Sequence, residues 1–574
     1  MSIVNRFLPA VVIPFLVTSC GGGGSGGGNG GNNTAGLTSL SVSTNANANG
    51  AIVPSSATVT EGGTTSFTIQ ADTGFVIASV SGCGGTLVGS TYTTAPVIND
   101  CEVTATFAPQ NSTSLSQSTY VKASNTGAGD SFGDGVALNE DGTVMVVGAP
   151  AEQSANGSQD DNSRSNGAVY VYTNNGTSWS QHSYIKPSTL VPAGSPYPRQ
   201  DFGDSVSIND DGTTIAVATP GEEQTSNESG GVYIFNLENS VWVEEDLLKV
   251  TNADQYTQSP GKNNTGVALD GAGTTLVVAE FGDSSITNAI NGDETDTSAA
   301  VAGAAHVFFK DNGSWSRQAY LKGSTVQAGD QFGSSIAISG DGNTIAIGAR
   351  ESSVTNPESG SVYIFVREAG VWAEQQRIQP TTPDINLFGF SVSLNHSGDM
   401  LAVGVPTEGS GGSGIGTDPT LLPGTKIGSG AAYIFERNGT VWTEQEFIKA
   451  SVTDINDQFG RSVSLNSAGD KLAVSAIGES GNSAGINGDP NNNLANLSGA
   501  AYLFSRAGST WSQDAYLKAG NPVDFINFGG SVSISGNGEV IAVGNKQDAS
   551  NATGINGDET NTDAFGSGSV TVFE

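Results

Sequence analysis

Apolar and polar residues alternate along most of the chain in short runs, and Gly, Asn-Gly or Asp-Gly punctuates the runs. Such alternation puts one face of a strand into a core, and the punctuation supplies turns. No helix-period stretch follows residue 20. From residue 115 onward the runs form a repeating unit. One apolar strand reads Val144-Met145-Val146-Val147-Gly148-Ala149-Pro150. It returns as Ile215-Ala216-Val217, Leu276-Val277-Val278, Ile345-Ala346-Ile347-Gly348, Leu401-Ala402-Val403-Gly404, Leu472-Ala473-Val474 and Ile541-Ala542-Val543-Gly544, which makes seven copies. A Phe-Gly pair precedes it in six copies, beginning at Phe132, Phe202, Phe332, Phe388, Phe459 and Phe528, and Asn263-Asn264 stand there in the third copy.

After a variable loop comes a third strand, as in Gly167-Ala168-Val169-Tyr170-Val171-Tyr172 and Gly360-Ser361-Val362-Tyr363-Ile364-Phe365. A fourth opens with Trp and closes with a Tyr-Leu-Lys-like end, as in Trp511 to Lys518. Trp179, Trp242, Trp315, Trp372, Trp442 and Trp511 all hold this one place, as expected of large rings filling a repeated wedge between units. Four strands repeated radially predict a propeller. The seventh unit stops at Glu574 after its third strand, while Leu115 to Lys122 match a fourth strand ahead of the first unit. The predicted fold is therefore all-β: a seven-bladed β-propeller over 115–574, closed by pairing of N- and C-terminal strands and preceded by a small all-β domain.

The Phe-Gly, Gly-Ala-Pro and Gly-x-Val-Tyr-x-Phe landmarks resemble FG-GAP repeats, best known from integrin α heads. The resemblance implies a propeller fold, with calcium held on Asp-x-Asp-x-Asp-Gly in the hairpin between the first and second strands. The hairpins here depart from that pattern. Asn139-Glu140-Asp141-Gly142, Asn209-Asp210-Asp211-Gly212, Ser339-Gly340-Asp341-Gly342 and Ser535-Gly536-Asn537-Gly538 read as tight turns.

Ahead of the repeats, residues 1–19 combine Arg6, an apolar stretch from Phe7 to Val17 and small residues, and read as a signal peptide. Leu16-Val17-Thr18-Ser19-Cys20 resembles a bacterial lipobox, which implies lipidation of Cys20 and, with Gly21 following, an outer-membrane location. Residues 20–36, nearly all Gly, Asn and Ser after Cys20, form a flexible tether with a reach of roughly 20 to 25 Å. Residues 37–109 carry short alternating runs such as Thr65 to Ile69 and Val103 to Phe107 and read as a small all-β domain. Its two cysteines, Cys83 and Cys101, are an expected disulfide outside the cytoplasm. The stretch from Gly82 to Leu87, with Tyr92-Thr93-Thr94 and Cys101, resembles divergent internalin-type B-repeats, which implies a spacer.

A net charge of -35 excludes nucleic acid as a partner, because phosphate binding needs clustered Lys and Arg. Three long loops between second and third strands share an element: Ile290-Asn291-Gly292-Asp293, Ile486-Asn487-Gly488-Asp489 and Ile555-Asn556-Gly557-Asp558. Asn291, Asp293, Asn487, Asp489, Asn556 and Asp558 could supply oxygens to Ca2+, or could equally form Asx turns without an ion. These loops project from the face opposite the short hairpins, where a protein or glycan partner is expected. His182, His306 and His396 read as structural, and neither a nucleophile elbow nor a His-rich metal cluster appears. No catalytic residue is assigned. The reading is a lipid-anchored binding or adhesion protein, with an extracellular hydrolase or lyase using channel carboxylates, or an envelope scaffold, as alternatives.

Overall fold

A computed structural model gives the fold and describes residues 38–46, 50–71, 75–88, 90–109, 115–154, 166–189, 200–221, 230–249, 266–325, 327–352, 359–380, 387–417, 419–420 and 424–574. The signal peptide, Cys20, the tether, Asn263-Asn264 and most of the Pro187 to Gln200 connection lie outside these residues. Among the described residues every helix or strand element is a strand. The chain divides into two compact units, Met1–Gln110 and Asn111–Glu574.

The smaller unit holds two four-stranded sheets. One orders Ser56–Thr60, Ser39–Ala46, Cys101–Pro109 and Phe75–Ser81; the other orders Gly50–Val53, Ser66–Ala71, Thr91–Thr93 and Thr86–Val88. Alternation decides what they bury. Phe67 and Ile69 point into a core with Val42, Ile52, Tyr92, Val103 and Phe107, while the residues between them face water. Cys83 and Cys101 are joined as a disulfide at the margin of that core, their Cα atoms 5.6 Å apart.

In the larger unit, seven four-stranded antiparallel sheets follow one another. The first strands are Val136–Leu138, Val206–Ile208, Val267–Leu269, Phe332–Ile338, Ser391–Leu394, Phe459–Leu465 and Ser531–Ile534. Each lies against the next, and the last lies against the first, so the sheets form a closed cycle around an axis. In the seventh sheet the fourth strand is Gln117–Val121, which pairs with Ser569–Phe573 in the register Val570↔Val121 and Thr571↔Tyr120.

The Phe-Gly pairs bind the cycle together. Phe132, Phe202, Phe332, Phe388, Phe459 and Phe528 are fully buried. Five of the rings pack edge-on against the third-strand Tyr of their own sheet, as Phe459 does on Tyr502 at 5.3 Å and 68°. Their backbones dock on the preceding sheet: Phe459 N–H donates to Ser429 O at 3.0 Å and Phe202 N–H to Asn166 O at 3.2 Å. The glycine answers to both conformation and space. Gly460 takes φ 88°, and a Cβ there would stand 2.2 Å from the carbonyl oxygen of Ala431. The tryptophans also join neighbours, since Trp372 Nε1 donates to Gln318 Oε1 at 2.6 Å and Trp442 Nε1 to Gln375 Oε1 at 3.0 Å, each on the preceding sheet's outer strand.

Candidate functional site

Strand order fixes the two ends of the ring. Each first strand runs into a short hairpin, the second returns, the third leads to another hairpin, and the fourth returns again. All short hairpins therefore gather at one end, and the long second-to-third loops and the connections between sheets gather at the other.

The long loops are held at their base by a repeated device. Lys518, closing a fourth strand, is fully buried, and its Nζ donates to Glu479 Oε2 at 2.7 Å, Ser498 Oγ at 2.7 Å and Gly499 O at 2.5 Å. Glu479 opens the loop, and Ser498 and Gly499 close it, so one ammonium ties both ends. Lys322 does the same with Asp283 at 2.8 Å and Gly303 O at 2.6 Å. Lys122 bridges Asp548 and Ser567, Lys449 bridges Glu408 and Ser429, and Lys186 bridges Glu152 and Gly167 O. The carboxylate then steers the loop. Glu479 Oε1 accepts from Gly481 N–H at 2.8 Å, and Asp283 Oδ1 from Ser285 N–H at 2.9 Å. Burial lowers the pKa of Lys122, Lys322, Lys449 and Lys518, and the facing carboxylates oppose it.

The shared Ile-Asn-Gly-Asp element covers the exposed edge of the fourth strand. Asn487 N–H donates to Tyr516 O at 2.8 Å while Asn487 Oδ1 accepts from Tyr516 N–H at 3.0 Å. Asn291 grips Tyr320, and Asn556 grips Tyr120, in the same two-bond manner. These asparagines sit at φ 54 to 56°, a conformation Asn tolerates. The aspartates make Asx turns: Asp293 Oδ1 accepts from Thr295 N–H at 2.9 Å, Asp489 Oδ1 from Asn491 N–H at 3.0 Å and Asp558 Oδ1 from Thr560 N–H at 2.8 Å. The six residues lie on three separate sheets. Each motif offers calcium one carboxylate, already hydrogen-bonded at Oδ1, beside an amide oxygen spent on the strand edge, against the roughly six to eight oxygens the ion takes.

The axial channel carries two further groups that the sequence does not bring together. At its loop end, Arg350 of the fourth sheet and Arg461 of the sixth flank the Phe390 ring of the fifth, with guanidinium carbons 5.3 and 4.5 Å from the ring centroid. Arg350 Nε donates to Gln331 Oε1 at 2.8 Å. Among the described residues no carboxylate forms an ion pair with Arg461, whose pKa is lowered by burial and then by Arg350.

At its hairpin end a cavity of about 140 Å³ is lined by all seven first hairpins. The equivalent place in each is held by Glu140, Asp210, Gly271, Gly340, His396, Ser467 and Gly536. Main-chain bonds run around this ring: Glu140 N–H to Asp210 O, Asp210 N–H to Gly271 O, Gly271 N–H to Gly340 O, His396 N–H to Ser467 O, Ser467 N–H to Gly536 O and Asn537 N–H to Glu140 O. Asp210 Oδ2 lies 3.4 Å from His396 Nδ1, and Ser467 Oγ donates to Glu140 Oε2. Burial raises the Asp210 pKa, His396 opposes the rise and Glu140 adds to it. His396, solitary in the sequence, thus stands beside two carboxylates. His306 instead is buried and bonded to Glu280 at 2.7 Å, and His182 bonds Ser183 on an outer strand.

The chain carries FG-GAP repeats, matched at residues 116–172, 315–365 and 442–504. No curated protein matches the chain. Solved structures similar to it include a "putative 6-phosphogluconolactonase" from Bacteroides uniformis ATCC 8492, at 12% identity over 68% of this chain and 87% of that one, TM-score 0.40. Another is U3-55K, at 9% identity over 79% of this chain and 97% of that one, TM-score 0.41. At these scores neither carries an argument about what this chain does.

Proposed function

We propose that this is a binding or adhesion protein rather than an enzyme, lipid-anchored through Cys20 in the bacterial outer membrane. The seven sheets serve as the blades of a closed propeller, the 37–109 unit is a spacer, and the loop end meets a protein or glycan partner. The stapled loops carry the reading. Long loops that must be ordered on binding lose affinity to conformational entropy, whereas loops pinned at both ends by a buried ammonium are ordered beforehand. Side chains suited to contact project from that end: Ile427, Ile455, Leu494, Phe525 and Phe565 are exposed, Leu494 by 75%. Arg350 and Arg461 add cationic groups at the channel mouth in a chain of net charge -35.

The test screens the purified mature chain against surface glycans and surface proteins, then repeats each hit with three variants. Leu494→Asp and Arg461→Ala, at the loop end, are expected to weaken binding at least tenfold, Leu494→Asp with an unchanged melting temperature. Val371→Asp, on an exposed hairpin tip at the other end, leaves it intact. Equal binding by all three variants defeats the assignment of the loop face.

A further inference from the structure

We propose that Glu140, Asp210 and His396 together bind one divalent first-row transition-metal ion, of the Zn2+ type, on the axis of the ring at its hairpin end. One ligand atom from each lies within 4.8 Å of the others. Tetrahedral bonds of about 2.0 to 2.1 Å set ligand atoms roughly 3.3 Å apart. His396 Nδ1 and Asp210 Oδ2, at 3.4 Å, already meet that spacing. Glu140 Oε2 accepts from the Ser467 hydroxyl, and a Glu140 oxygen lies within 4.8 Å of the other two ligand atoms, a gap that a side-chain rotation would close. Imidazole beside carboxylates suits zinc and its neighbours, whereas calcium and magnesium favour oxygen alone. The cavity of about 140 Å³ also leaves room for bound waters, each taking about 30 Å³.

Three glycines supply an independent observation. Gly271, Gly340 and Gly536 hold the equivalent hairpin position on other sheets, and none takes a positive φ, so the turn does not call for glycine there. What they provide is space. A Cβ at Gly340 would stand 2.0 Å from His396 Nδ1, at Gly271 2.2 Å from Asp210 Oδ2, and at Gly536 1.7 Å from Glu140 Oε2. Each of the three ligand side chains lies over a position that carries no side chain. The main-chain bonds around the ring fix the frame on which all three stand, the preorganisation a metal site needs.

Only three histidines exist in the chain, and His306 is buried against Glu280, so single substitutions decide the matter. The full chain is titrated with Zn2+, and separately with Co2+ followed by its visible absorption, in millimolar Ca2+ and Mg2+ to occupy surface carboxylates. The expected result is one equivalent bound and a Co2+ spectrum of low coordination number. His396→Ala, and Gly340→Ala, which displaces the imidazole while keeping it, each weaken Zn2+ at least 100-fold, and His182→Ala has no effect. Glu140→Gln retains a hydrogen-bonding side chain and weakens Zn2+ at least tenfold, covering the case in which His396→Ala fails to fold. No stoichiometric binding by the wild-type chain, or binding indifferent to His396→Ala and Gly340→Ala, overturns the proposal.

Discussion

Asp457 lies in the connection leading into Phe459-Gly460, 5% exposed, with Oδ2 accepting from Asp454 N–H at 2.6 Å. Its pKa is pushed up to about 7, chiefly by burial; the Asp454 N–H bond opposes the rise, and Glu479 and the Asp454 charge add to it. Because the folded value exceeds the ordinary 3.8, Asp457 favours folding fully below about pH 3.8, and that contribution is lost as pH rises through 7. At about 1.4 kcal/mol per pKa unit, the change across the window is on the order of 4 kcal/mol. Asn keeps an acceptor for Asp454 N–H and carries no charge. Asp457→Asn is therefore expected to stabilise the protein at pH 8 and to give no gain at pH 4, read by denaturant unfolding at both values. An equal effect at the two pH values contradicts this account.

At the scale of the element, the Lys518 staple joins the fourth strand to both ends of a long loop. Removing one partner of a buried ion pair leaves a desolvated charge and costs about 3–5 kcal/mol, while replacing both by apolar groups of similar size is close to neutral. Lys518→Met should destabilise by that amount, and adding Glu479→Gln, which removes the charge and keeps an acceptor for Gly481 N–H, should recover part of it; a double variant less stable than the single one removes the unpaired carboxylate as the cause. The sequence shows this device only in part. Lysine closing the fourth strand is visible because it recurs, but its carboxylate lies 39 residues earlier across a loop of varying content. The strands themselves were legible because period-two burial and turn chemistry are local, and the end strands because Leu115 to Lys122 repeat a local pattern. The Ile-Asn-Gly-Asp elements show the opposite limit. Their oxygens read alike as ion ligands or as Asx turns, and the pairing of the amides with Tyr320, Tyr516 and Tyr120 is not visible in either reading. Likewise Glu140, Asp210 and His396 occupy three turns that each read locally as a turn, and only closure of the sheets turns them inward.

At the scale of the molecule, closure rests on one seam. Gln117–Val121 pairs with Ser569–Phe573, Ser116 N–H donates to Glu574 O at 2.7 Å, and Glu574 Oε1 accepts from Trp179 Nε1 at 2.6 Å, carrying the seam onto the first sheet. A chain starting at residue 123 instead of 115 exposes the edge of Ser569–Phe573, whose residues are all buried when paired, and strands Asp548 without Lys122. An open apolar edge recruits other strands. The paired edge, the burial of Tyr120 and Val121 and the Lys122–Asp548 pair are lost together, so the melting temperature should fall by a few degrees. The shortened chain should also associate at micromolar concentration by light scattering, and a synthetic peptide of residues 115–122 should reverse both effects. Identical melting and mass for the two chains would mean that the seventh sheet stands without its fourth strand. Stability would then lie in the contacts between sheets, where the Phe-Gly pairs and tryptophans sit, and not in the seam.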